Sequence, residues 1–210
     1  MKLPEPKHTL SNTIDQWFED NVSDQKRFHM GASLIGEKCE RKLWLNFRWA
    51  KDEKFPGRIL RLFERGQDKE LKVVRNLEGI GCKLEHTGED QYRVNLGSHV
   101  SGSLDGIIRS GLKGAEKSAH ILEIKTHSKK SFDSMVKEGV FKSKPLHYVQ
   151  MQVYMYGTGI DRALYYAVCK DDDRIYTERF KLDTEFAEYA IERGQRIAMQ
   201  DELPPPITTN

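Results

Sequence analysis

The sequence predicts an α/β fold with a mixed central sheet flanked by helices, preceded by a mainly helical extension. Apolar residues recur at helical spacing through the first 80 or so positions. Short β-branched runs bounded by Gly and Asp follow between 82 and 126. Beyond 130, helical stretches alternate with strand-like ones, as expected where strands are joined by helical crossovers.

Taken in order, Ser11 or Asn12 caps a first helix that carries Ile14, Trp17, Phe18 and Val22 at helical spacing. A second helix is expected from Ser33 to Trp49 and a third from Arg58 to Leu77, ended by Gly79 and Gly81. Strands are expected at about 82 to 86, 91 to 96, 99 to 109 and 119 to 126, with turns at Gly88-Glu-Asp90 and Gly111-Leu-Lys-Gly114. A helix over 130 to 139 leads, past Pro145, into another over 145 to 156. Strands at 162 to 169 and 174 to 182 turn at Lys170-Asp-Asp-Asp173, which lacks the glycine and distal glutamate of a calcium loop. A last helix over 183 to 200 stops before Pro204-Pro-Pro206, which cannot continue it. No repeat or linker divides the chain, so one domain is expected over 1 to 210: a mainly helical part to 80, a core over 81 to 200 and a tail over 201 to 210.

Composition narrows the class. With 38% hydrophobic and 10% aromatic residues the chain can bury a core, which excludes wholesale disorder. Three cysteines, Cys39, Cys82 and Cys169, form no disulfide framework and point to a reducing compartment. The first residues lack the apolar run of a signal peptide, and no stretch approaches the roughly 20 apolar residues of a membrane span. A cytoplasmic protein with no membrane partner is expected. His86, His99, His120 and His127 show no paired spacing for zinc, and no glycine-rich phosphate loop occurs, so any energy coupling belongs to a partner. Net charge is only +2, but Lys125, His127, Lys129, Lys130, Lys137, Lys142, Lys144 and His147 form a local basic track suited to phosphates.

The chemistry concentrates where charge interrupts apolar strands. Asp105 follows Ser-Gly-Ser-Leu and precedes Gly-Ile-Ile; Glu123 and Lys125 alternate with Ile121, Leu122 and Ile124. On a strand Glu123 and Lys125 share a face with Ile121, so two ions are placed beside isoleucine. Burying a carboxylate costs several kcal/mol unless a counter-ion or a metal meets it. If Asp105 faces Glu123 across an antiparallel pair, the two repel unless a cation lies between them. A divalent metal held by Asp105 and Glu123, with Lys125 beside it to act on a water or a phosphate, resolves the conflict.

The pattern Asp-x17-Glu-x-Lys resembles the core of the PD-(D/E)XK, or restriction-endonuclease-like, nuclease superfamily. Its flanks extend the likeness. Gly66-Gln-Asp-Lys-Glu70 resembles the Gly-x-x-x-(His/Glu) motif of the RecB-like and lambda-exonuclease-like branches, and Gln150-Met-Gln-Val-Tyr154 resembles their Gln-x-x-x-Tyr motif. Ser33-Leu-Ile together with Cys39-Glu-Arg41-Lys42 resembles the helix that opens many RecB-like nucleases, including those of CRISPR adaptation. An iron-sulfur cluster is not expected, because the further cysteines of those relatives are missing.

The resemblance implies a Mg²⁺- or Mn²⁺-dependent DNA exonuclease of phage or bacterial recombination or repair, with 81 to 200 as its catalytic core. A recombination or helicase partner and oligomers are compatible with it. Asp105, Glu123, Lys125 and Gln150 are then catalytic. The metal is held by Asp105, Glu123, the Ile124 carbonyl and, directly or through water, Glu70; Tyr154, Lys129 and Lys130 meet the substrate. If Ser33 and Arg41 share a helix they lie about two turns apart. With Ser103 they then border a pocket that, by resemblance, holds a 5′-phosphate and sets 5′ to 3′ digestion. The competing reading pairs Arg41 with Glu37 on the helix surface. A CRISPR-adaptation-type or restriction-type endonuclease, or a non-catalytic nucleic-acid-binding module, is the alternative function.

Overall fold

A computed structural model describes residues 9–22, 28–50 and 54–207. Helix α1 (Leu10–Asn21) is capped by Thr9, whose side chain accepts from the Asn12 backbone N–H, so the cap lies slightly upstream of the Ser11 or Asn12 expected. It buries no residue of its own, and Asp15 pairs with Arg61 while Glu19 Oε1 accepts from the Gly57 N–H at 2.7 Å. This ties α1 to α3 (Gly57–Gly79).

The expected helix over 33 to 49 is corrected at its start. A two-residue strand β1 (Met30–Gly31) leads into turns over 32 to 36, and α2 (Glu40–Phe47) begins only after Cys39. Strand pairing holds the chain as far as Ala32, whose N–H donates to Ser101 O at 2.9 Å. Leu34 N–H then donates to Gly31 O at 2.9 Å and Glu37 N–H to Leu34 O at 2.8 Å, so these residues close turns between positions three apart instead of a helical ladder.

The strands form two sheets. β2 (Lys83–Glu85), β5 (Gly106–Ser110), β6 (His120–His127), β7 (Arg162–Cys169) and β8 (Ile175–Lys181) make a five-stranded sheet in that order. β1, β4 (Val100–Ser103) and β3 (Arg93–Asn95) make a three-stranded one in the order β1-β4-β3. The β6–β7 and β1–β4 pairs are parallel and the rest antiparallel, so both sheets are mixed. The expected single strand over 99 to 109 therefore breaks at Leu104 and Asp105, where the chain leaves one sheet for the other.

Helices α4 (Lys129–Ser143) and α5 (Pro145–Thr158) connect the parallel strands β6 and β7, and α6 (Thr184–Met199) closes the fold. α4 is kinked at Gly139, whose φ of 76° lies in the left-handed region that glycine enters without strain. One core lies on the face of β6 that carries Ile121, between the sheets, α5 and α6. The other lies under α3 and contains Val73, Val74, Leu77, Leu122, Ile124 and Leu164. β6 is thus sandwiched on both faces, which is why its charged residues are costly. Among the described residues, no helix is long and apolar enough to cross a membrane.

Candidate active site

The break between β4 and β5 builds the site. Gly106 pairs with Leu122 in the antiparallel register, so Asp105, one residue earlier, arrives beside Glu123 as the strand ends. Its Oδ2 accepts from the Ile124 N–H at 2.7 Å, fixing the carboxylate against β6. Glu123 is fully buried; its Oε1 meets the Lys125 ammonium, and its Oε2 has no hydrogen-bond partner among the described residues. The Lys125 ammonium forms an ion pair with Glu123 Oε1 and stands 3.8 Å from Asp105 Oδ2 and 3.3 Å from the Ile124 carbonyl, to which it donates.

Burial pushes the Glu123 carboxyl upward, and Lys125 pulls against it. Burial also disfavours the Lys125 charge, but Glu123 and Asp105 more than offset it and hold the ammonium protonated. Glu70 reaches the same region from α3; burial, and then the charge of Asp105, push its carboxyl up to about 7. Between α3 and the end of β6 opens a cleft of about 360 Å³ lined by Phe63, Gly66, Gln67, Glu70, Lys125 and Lys170, among others.

A divalent metal fits these residues. Glu123 is fully buried with its Oε2 unbonded among the described residues and one ammonium shared between it and Asp105, and the donors around it are hard oxygens. Among the described residues no three His, Cys, Asp or Glu side chains converge on one point. The protein's share of the shell would therefore be Asp105, Glu123 and the Ile124 carbonyl, with Glu70 further out.

The α5 residues stand on the opposite wall. Gln150 is buried, donates to Tyr154 Oη at 3.5 Å and leaves its Oε1 without a partner among the described residues. Tyr154 donates to the Ser103 carbonyl at 2.9 Å, so it anchors the last residue of β4. Ser103 itself is exposed. The basic track is only partly turned to the site: the Lys129 N–H donates to Asp171 at 2.6 Å and its ammonium lies 3.6 Å from Asp172, while Lys130 is exposed. Ser33 and Arg41 do not share a helix. Ser33 lies in the turns before α2, and Arg41 donates to the Pro204 carbonyl at 3.4 Å. Glu37 pairs with Lys42.

Sequence reasoning missed a buried polar chain beside Lys125. The Tyr165 hydroxyl sits 2.9 Å from His127 Nε2 and 2.7 Å from His147 Nδ1, and His127 Nδ1 is 3.2 Å from Ser131 Oγ. Burial, with the charge of Lys125 contributing, holds His147 down at about 3, and burial with nearby lysines holds His127 at about 4. The available signal was positional: His147 precedes Gln150 by one helical turn, and Tyr165 pairs with Glu123 in the parallel register.

No protein-family model matches the chain, and no curated protein matches it in sequence. Solved structures do align with it. LHK-Exo in complex with dAMP does so with a TM-score of 0.60 at 17% identity, covering 87% of this chain and 89% of the other. A second structure of LHK-Exo, an alkaline exonuclease from Laribacter hongkongensis, aligns with a TM-score of 0.57 at 16% identity over 87% and 89% of the two chains. At such identities the likeness is one of fold: the two mixed sheets flanked by helices are consistent with the nuclease fold of these neighbours and with the α/β architecture expected from the sequence.

Proposed function

We propose that the chain is a Mg²⁺- or Mn²⁺-dependent exonuclease that hydrolyses phosphodiester bonds at DNA ends. The observation that carries the reading is Glu123, a wholly buried carboxylate that converges with Asp105 on the single Lys125 ammonium and leaves its Oε2 unbonded among the described residues. The metal supplies Lewis acidity toward the phosphoryl oxygen and a more acidic bound water. Asp105, Glu123 and the Ile124 carbonyl hold it, with Glu70 supporting from α3. Lys125 orients the attacking water and offsets charge on the phosphoryl oxygens, and Gln150 contributes its unpaired carbonyl oxygen from α5. The neighbouring LHK-Exo structures are of an exonuclease, one with a nucleotide bound, which supports DNA as substrate.

End-labelled linear duplex, closed circular duplex and single-stranded DNA, each incubated with Mg²⁺, test this. Linear DNA should be degraded and circular DNA left intact; cleavage of circles would favour a restriction-type endonuclease. Asp105→Ala, Glu123→Ala and Lys125→Ala should each lower the rate by about 100-fold or more while leaving the protein folded. Wild-type activity in Lys125→Ala, or full activity after exhaustive chelation, would refute the assignment. Digestion from 5′ to 3′ is read from the same labels; it loses the support of a shared Ser33–Arg41 pocket, and equal rates on 5′-phosphate and 5′-hydroxyl ends would remove it.

A further inference from the structure

The Lys125 ammonium contacts all three oxygen donors assigned to the metal: Glu123 Oε1, Asp105 Oδ2 at 3.8 Å and the Ile124 carbonyl at 3.3 Å. One compact cation thus stands where the hard donors of the site converge. It is not locked in. With 27% of its side chain exposed, Lys125 also lines the cleft that opens toward Glu70, so its flexible stem has room to withdraw.

We infer that Lys125 is a resident placeholder cation, which occupies the metal position in the metal-free protein and must withdraw from Glu123 when the metal binds. This rests on the metal-dependent reading above and adds to it that lysine and metal compete for the same oxygens. Two consequences follow from the charges. Without metal, the protein avoids a buried Glu123 and a partly buried Asp105 facing each other with no cation between them, so the fold does not require metal. Metal affinity is held down, because binding must break the contacts of Lys125 with Glu123 and Asp105 and leave two cations close together. The withdrawn ammonium then faces the cleft, where a substrate phosphate would lie.

The test is calorimetric titration of DNA-free protein with Ca²⁺ and Mn²⁺ at one fixed pH, comparing wild type with Lys125→Met, which keeps most of the length of the stem and removes the charge. The variant should bind at least tenfold more tightly and show a larger metal-induced rise in melting temperature. Binding by both proteins with equal or weaker affinity in the variant overturns the placeholder role alone. No binding by either overturns the metal reading itself. Should Lys125→Met fail to fold, the wild-type protein still decides: the side-chain ¹H–¹⁵N resonance of Lys125 should be protected without metal and shift strongly on adding Ca²⁺. A resonance unchanged at saturating Ca²⁺ refutes the displacement.

Discussion

Two glycines near the site demand opposite outcomes from the same substitution. A Cβ on Gly102 would come 2.4 Å from the Tyr154 hydroxyl and 3.0 Å from Ala32 Cβ. Gly102→Ala should therefore push Tyr154 off the Ser103 carbonyl, cost about 1–3 kcal/mol in chemical denaturation and depress cleavage. Gly66 has nothing within 4 Å of its Cβ position although it lines the cleft. Gly66→Ala should stabilise α3 by roughly 0.5–1 kcal/mol, and a fall in activity despite that gain would show that the cleft needs the space for substrate. At this scale the sequence was most legible where charge broke an apolar pattern, as at Asp105, Glu123 and Lys125. Tyr165 escaped notice because a tyrosine within Arg162–Cys169 reads as core packing, and only the pairing with Glu123 shows that its hydroxyl belongs to a polar chain.

The elements were read well where periodicity is long and poorly where partners decide. α3 and α6 stand close to their expected bounds because each is long enough for its apolar spacing to repeat, and α5 does because Pro145 marks its first turn. The strand expected over 99 to 109 looked continuous because both halves have strand character, and its break depends on two different partners, β3 for one half and β6 for the other. Tyr154 spans from α5 to that break. Tyr154→Phe should leave the Ser103 carbonyl without this donor at a cost of about 1–3 kcal/mol, and the cleavage rate should fall more than it does for Tyr156→Phe. Tyr156 is the control because its hydroxyl donates to Glu188 on the exposed side of α5.

For the whole molecule, the buried polar chain sets an acid limit. His127 and His147 bind protons less readily in the fold than at the ordinary value of 6.5, and their rings stay neutral down to about 4 and about 3. Stability from the neutral rings is complete above about pH 6.5 and is lost as pH falls through 4 toward 3, because the unfolded chain takes up those protons first. His147→Gln, with an amide that can still reach Tyr165, should flatten the fall in stability between pH 6.5 and 3 in denaturant titrations; an unchanged profile would remove His147 from the network. The α/β class, the mixed sheet and the order of the site motifs were legible in sequence. The division into two sheets was not, because it depends on the break at Leu104 and Asp105, and the edge strand β1 is only two residues long with no detectable period.

α2 holds the segment after α6 through that segment's backbone carbonyls and holds α6 itself through side-chain ion pairs. Trp44 and Arg48 donate to the Gln200 carbonyl, Arg41 donates to that of Pro204, and Glu40 receives Arg193 and Arg196 from α6. Trp44 and Gln200 lie 156 residues apart in the chain, and Arg41 and Pro204 lie 163 apart, so α2 emerges from the ribosome long before these C-terminal partners. Its docking is a late event of synthesis. Until residues near 200 appear, Trp44 and Arg48 lack the carbonyl that receives them in the finished fold, so this end of the molecule closes last.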